Sequence, residues 1–347
     1  MAACCTGSHK VTRQRAKVLL WSAAVAAAIL VGLAWFLPSR DYLYVPNAAT
    51  PVAAKVKVEG EKPPRQGNGA IYYVDVSVRR ATWAERLLPP LRPNGASLVP
   101  KDQVVPPGSS FGDRREEGFR EMARSEEVAA AVALKKAGYT VVAIPRGALV
   151  EAVATDAPAA GELDSGDVIV GAGGRTIRTP NELRSSFDDV RPGTDVVLRV
   201  RRDGAVKTVT VRTVASPLER GRAIIGIRVG QAADIKLPLK VDIDLGAVGG
   251  PSAGLPFALD VLQELGTNVD NGRRVVATGE IALDGTVGPI GGVKQKTFGA
   301  RKAGADVFLV PAGDNATEAR RYAGNLRIIP VRSFQQALSA LRTLPAK

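Results

Sequence analysis

The chain has 347 residues, 45% hydrophobic and 23% charged, a composition that supports folded domains rather than a disordered tail. Its formal net charge of +13 would suit nucleic acid or anionic lipid, but the basic residues are scattered and only 5% of residues are aromatic, so nucleic-acid binding is not expected. The two cysteines, Cys4 and Cys5, are adjacent, and His9 is the only histidine, which excludes a disulfide framework, a zinc cluster and any site needing two imidazoles. No cofactor or metal is expected.

In chain order, residues 1–17 read as a cytoplasmic tail carrying Lys10, Arg13, Arg15 and Lys17. Residues 18–37, "VLLWSAAVAAAILVGLAWFL", hold 20 residues without a charge, enough for a helix to cross a bilayer core. The basic flank predicts the N-terminus inside and everything after about Pro38 outside the cytoplasmic membrane. A cleaved signal peptide is the alternative, disfavoured by the length of the run and its "AWFLPSR" end.

Residues 38–137 read as an extracytoplasmic connecting region. "EKPPRQGNG" has linker composition, "AIYYVDVSV" alternates as one strand, and residues 113–137 have helical composition with Phe119, Met122, Val128, Val132 and Ala133 near helical spacing.

Between 138 and 215 the pattern shifts to short strands and turns. "GALVEAVATDAPAAGELDSGDVIVGAGGRTIRTPNELRSSF" and "GTDVVLRVRRDGAVKTVTVRT" resemble a bacterial PDZ domain: a strand at 148–153, an "APAA" helix, a helix at 181–187, and a hairpin turning at Asp203-Gly204. The resemblance implies a small β-barrel-like sheet with two helices that takes an extended peptide as an added strand, its carboxylate held near 138–142. The alternative is a domain that only spaces or gates its C-terminal neighbour.

Residues 216–347 open with "AIIGIRV" and "LPLKVDIDL", both strand-like, and then "GGPSAGLPFALDVLQELG". Gly249 and Gly250 leave room for a substrate chain, Pro251 suits a helix start, and Ser252 falls in the first turn, where N–H groups and the helix dipole favour an oxyanion. A serine at a helix start is also an ordinary cap. If Ser252 is a nucleophile, His9 lies across the membrane from it, and a lysine kept neutral by burial becomes the base to look for. Lys294 and Lys296 open a helix pattern two residues apart, so only one can face the site. Lys296 has the smaller neighbours, Gly292, Val293, Gly299 and Ala300, whereas Lys294 shares its side with Thr297, Phe298 and Arg301.

"GGPSAG", "TGEIALDGTVGPIGGVKQK" and "AGADVFLVPAGD", in this order, resemble the α+β proteolytic domain of Lon-type Ser-Lys peptidases. The resemblance implies Ser252 as nucleophile, Lys296 as base and Thr278 as a hydroxyl beside the amine; Thr278 is otherwise a plain strand threonine. Gly250 and Ala253 are supporting candidates, with the N–H groups of Ser252 and Ala253 as oxyanion donors. Many such enzymes carry an acidic residue three positions before the serine, where this chain has Gly249. No Gly-Lys dipeptide occurs, so the phosphate loop of an ATPase is absent.

With the N-terminal transmembrane helix, the whole resembles the membrane-anchored PDZ and Lon-like peptidases of bacteria. That implies an ATP-independent endopeptidase acting on extracytoplasmic or membrane-associated proteins, with peptide or protein partners, a bilayer contact through 18–37, and a homo-oligomer by analogy. The rival reading is a PDZ scaffold whose protease domain is idle or only autoprocessing. "NAT" at 315–317 matches a glycosylation sequon, read as accidental.

Overall fold

The computed structural model describes residues 21–22, 25, 32–59, 69–105, 110–154, 156–216, 219, 221–243, 246 and 248–345. The tail with Cys4, Cys5 and His9, most of the apolar run 18–37, and most of the linker-like 61–69 lie outside these residues. Among the described residues no helix is long and apolar enough to cross a membrane.

The chain divides into two units, 1–45 with 77–104, and 46–76 with 105–347. The first contains a three-stranded sheet in which Pro38–Pro46 lies between Val76–Thr82 and Ser97–Val99. The short helix Trp83–Leu87 is closed at its start by a capping box between Thr82 and Glu85. "AIYYVDVSV" is therefore two strands: Ala70–Tyr73 ends before Asp75, whose carboxylate accepts from Asn47 Nδ2 at 2.7 Å, and Val76–Thr82 joins a different sheet.

The second unit opens with strands β1 (Thr50–Pro51) and β2 (Ala70–Tyr73) and the 26-residue helix α1 (Phe111–Lys136). A sheet of antiparallel pairs comes next: β3 (Val142–Val153), β4 (Val168–Ala172), β5 (Asp195–Arg202) and β6 (Ala205–Arg212), with helix α2 (Pro180–Ser185). The strand order is β6-β5-β4-β3 and then β7 (Ile227–Lys236). Ile169, Leu198, Val200, Val211, Leu183 and Phe187 form the core of this part. Asp203 and Gly204, at φ 50° and 80°, make the tight β5–β6 hairpin turn that the sequence signals. The "APAA" segment is turn rather than helix, joined by a lone bridge between Ala160 and Leu163.

The sheet also reaches beyond residue 215. Strand β7 pairs with β3 from Ile227 opposite Val153 to Lys236 opposite Val142, while β4 pairs on the other side of β3. One edge of β3, the strand that begins at the end of 138–142, is thus paired along its whole length by β7, and the other is paired by β4 at Ala148 and Leu149. Gln231 of β7 is buried and donates to the carbonyls of Gly147 and Arg178, which seats β7 between β3 and the start of α2.

The C-terminal part is built on a five-stranded sheet in the order β1, β2, β8 (Arg274–Ala277), β9 (Val307–Pro311), β10 (Arg327–Val331), parallel from β2 onward. Apart from the exposed Arg274 at the start of β8, its central strands are apolar because both faces are covered. Val275, Ala277, Val307 and Leu309 face the cluster with helices α3 (Gly254–Glu264) and α6 (Phe334–Arg342). Val276, Phe308 and Val310 face α4 (Val293–Lys302) and α5 (Asp314–Tyr322). Helix α1 packs along α3 and so joins the first of these cores.

Candidate active site

Ser252 lies in a 3-10 turn, Pro251–Ala253, that runs directly into α3. The turn begins from Gly250 at φ 93° and ψ 149°, a backbone state open to glycine. Nine consecutive buried residues, Gly254 to Leu262, fix α3 in the core, so the turn is mounted on a rigid support.

Lys296 comes from the first turns of α4, whose start is set by Gly292 in the left-handed conformation. A Cβ on Gly299 of the same helix would lie 2.2 Å from the Asn47 carbonyl oxygen. That close approach is what the small residues beside Lys296 permit. The Lys296 side chain is buried, and burial holds its amine down to about 7 against a weaker upward pull from Asp75.

These two elements bring Lys296 Nζ to 2.7 Å from Ser252 Oγ and 3.1 Å from Thr278 Oγ1. Thr278, just past the end of β8, is itself buried, and its hydroxyl donates to the Ser252 carbonyl at 3.1 Å. The Gly279 N–H donates to the same carbonyl at 2.8 Å. Lys294 points elsewhere, its ammonium over the ring of Tyr322 at 5.6 Å.

Gly250 and Ala253 flank the serine, but their N–H groups are engaged differently. The Gly250 N–H donates to the Gly118 carbonyl at 2.8 Å. In a 3-10 turn each N–H reaches back three residues, which directs Ala253 to the Gly250 carbonyl. The N–H of Ser252 finds no acceptor within its own helix. An anion at this turn would therefore meet Ser252 rather than Gly250 or Ala253.

Sequence reasoning missed the contribution of α1. Gly118 accepts from Gly250, Ser125 Oγ donates to the Pro251 carbonyl at 2.9 Å, and Glu121 lies beside Gly250. Gly249 is explained by the same helix. A Cβ there would come within 3.1 Å of the Gly118 carbonyl carbon, so α1 occupies the space a side chain would need.

Around Glu121 lies a charged cluster: Arg228 of β7 contacts Glu117 at 3.0 Å, Glu121 at 2.9 Å and Glu151 at 3.5 Å. Arg114 contacts Glu117 and Glu121, and Arg124 contacts Glu151. Burial raises the Glu121 carboxyl, and burial with Glu151 and Glu121 nearby pushes that of Glu280 up to about 7. Among the described residues no three His, Cys, Asp or Glu side chains are arranged to hold a metal ion. Asn315 of the sequon is engaged internally, exchanging two hydrogen bonds with the Ile290 backbone.

Residues 230–342 match the model of the Lon protease (S16) C-terminal proteolytic domain. Residues 122–213 match that of the PDZ domain. Lon protease 1 of Sorangium cellulosum is 38% identical over 112 residues, covering 28% of this chain and 13% of that protein. The Lon protease of Chloroflexus aggregans is 30% identical over 146 residues, covering 41% of this chain and 18% of that protein. The chain thus spans less than a fifth of the length of these two curated relatives. The PDZ domain of the SdrC-like protein of Listeria monocytogenes is 24% identical, with a TM-score of 0.23, covering 24% of this chain and 87% of that structure. The matches give a mixed α+β chain with a PDZ domain ahead of a Lon-type proteolytic domain, and the PDZ domain suggests peptide or protein binding.

Proposed function

We propose that the chain is an ATP-independent serine endopeptidase in which Ser252 is the nucleophile and neutral Lys296 the base. The observation that carries this reading is the 2.7 Å contact between Lys296 Nζ and Ser252 Oγ, made by an amine that burial keeps close to neutrality. A lysine held near 7 accepts the hydroxyl proton as Ser252 Oγ attacks a peptide carbonyl. The ammonium then delivers that proton to the leaving amine, and the acyl-enzyme forms. A water molecule, deprotonated by the same amine, attacks the ester and releases the second product. Thr278 holds the amine in place through its Oγ1, and the Ser252 N–H serves the oxyanion. The assembled dyad favours this over a scaffold with an idle protease domain.

ATP independence is supported by the absence of a Gly-Lys dipeptide. Membrane anchoring, with the site outside the cytoplasm, is supported by the uncharged run 18–37 behind Lys10, Arg13, Arg15 and Lys17. Substrates are then extracytoplasmic or membrane-associated proteins. Because β7 already pairs along the whole of one edge of β3, the PDZ domain fits gating or bracing of the proteolytic domain better than capture of a peptide along that edge.

The test is cleavage of an unfolded protein by the full-length chain. Wild type should cut it without ATP, and Ser252→Ala and Lys296→Met should each lose the activity; cleavage by Ser252→Ala at the wild-type rate would refute the reading.

A further inference from the structure

One face of α1 meets the nucleophile turn through Gly118, Glu121 and Ser125, at helical spacing of three and then four residues. Of these contacts, the one from Ser125 falls on the carbonyl of Pro251. That carbonyl and the N–H of Ser252 belong to the same peptide unit, and the described residues contain no cis peptide bond. In a trans unit the C=O and N–H point in opposite directions. Holding the Pro251 oxygen on α1 therefore turns the Ser252 N–H away from α1.

The next peptide unit is held from the other side. The Ser252 carbonyl accepts from Thr278 Oγ1 and the Gly279 N–H. The backbone is thus fixed on both sides of Ser252, by α1 before it and by residues 278–279 after it. Ser125 is buried, and a Cβ on Gly254 would come within 2.7 Å of its Oγ, so the hydroxyl is confined where it can reach Pro251. Helix α1 is in turn anchored by the ion pairs from Glu117 and Glu121 to Arg228.

We propose that Ser125 is a positioning residue that aims the Ser252 N–H at the oxyanion of the reaction. The proposal rests on the peptidase reading above. Ser125 touches no reacting atom; it acts through the peptide unit whose oxygen it holds. The Gly254 N–H also donates to the Pro251 oxygen, so without Ser125 the Pro251–Ser252 unit keeps one of its two holds and its N–H is aimed less firmly. The stabilisation lost is that of the transition state rather than of bound substrate.

The experiment compares full-length wild type with Ser125→Ala, and with Ser125→Cys, which keeps a weak donor of similar size. A fluorophosphonate counts the reactive Ser252 in each preparation, so that kcat is expressed per active site. A peptide boronate, which forms a tetrahedral adduct on the serine oxygen, reports on the oxyanion donor. Ser125→Ala should lower kcat per site at least about tenfold, since deleting an oxyanion donor outright costs about 10² to 10³ in kcat. KM should stay within about twofold, boronate affinity should fall by a factor similar to that in kcat, and Ser125→Cys should fall between alanine and wild type. Wild-type kcat per site and boronate affinity in Ser125→Ala, with only a lower Tm, would reduce Ser125 to an ordinary buried contact and overturn the proposal. If wild type itself neither cleaves nor reacts with the fluorophosphonate, the peptidase reading fails, and this inference fails with it.

Discussion

Lys296 Nζ lies 2.7 Å from Ser252 Oγ although 44 residues separate them in the chain, and the amine that makes this contact is buried. The cost of that burial is measurable as stability. The folded amine sits at about 7, below its ordinary 10.5, so the charged form is the disfavoured one. The folded protein carries the whole penalty below pH 7 and loses it as pH rises toward 10.5. Lys296→Met should therefore be more stable than wild type by up to ~5 kcal/mol at pH 6, with the difference gone near pH 10.5. Denaturant unfolding of both proteins at the two pH values checks this.

Thr278 Oγ1 both accepts from Lys296 and donates to the Ser252 carbonyl, so it ties the amine to the nucleophile's backbone. Thr278→Val keeps the shape and removes both bonds. It should lower kcat about 10- to 100-fold with little change in KM, while Thr278→Ser should stay within a few-fold of wild type. Steady-state kinetics on a peptide substrate separates the two cases.

Gly249 and Gly118 face each other across the contact between the nucleophile turn and α1, but they do not have the same freedom. A Cβ on Gly249 would lie 3.1 Å from the Gly118 carbonyl carbon, whereas one on Gly118 would lie 3.6 Å from its nearest neighbours. Gly249→Ala should destabilise by about 1 to 3 kcal/mol through overpacking, and kcat should fall. Gly118→Ala should instead gain about 0.5 to 1 kcal/mol, because glycine weakens a helix interior. Thermal unfolding decides both signs.

Arg228 links β7 to the carboxylates of α1 and β3. Replacing it with methionine leaves Glu117, Glu121 and Glu151 with Arg114 and Arg124 alone. Because the Arg228 side chain is 41% exposed, the loss should be modest, about 1 to 3 kcal/mol. Burial already raises the Glu121 carboxyl, so its ionised form is the costly one and acid relieves it. The destabilisation by Arg228→Met relative to wild type should accordingly be larger at pH 8 than at pH 5.

Much of this site was legible in the sequence because its signals are local. The small residues Gly292, Gly299 and Ala300 distinguish Lys296 from Lys294, and Gly250, Pro251 and the apolar run from Gly254 mark the turn and helix that present Ser252. The contacts from α1 were not legible. Ser125 and Pro251 lie 126 positions apart, and no periodicity records a hydrogen bond over that distance. "AIIGIRV", at 223–229, reads as a strand, but nothing local carries it on to Lys236 or says that its partner is β3 rather than a strand of the proteolytic sheet. "AIYYVDVSV" carries no turn residue pair or proline to mark a break, so its division at Asp75 reflects tertiary pairing rather than pattern.

The central claim is that Lys296 is the base for Ser252, and the pH dependence of Ser252 acylation tests it most directly. A base must be neutral to accept the proton, so labelling of the full-length chain by a fluorophosphonate should rise with pH about a midpoint near 7. Glu280 ionises in the same window, and Glu280→Gln should leave the Lys296 ionisation alone in the profile. In Lys296→Met, labelling should be slow and the step near 7 absent. Labelling of Lys296→Met at the wild-type rate with the same pH midpoint would contradict the account.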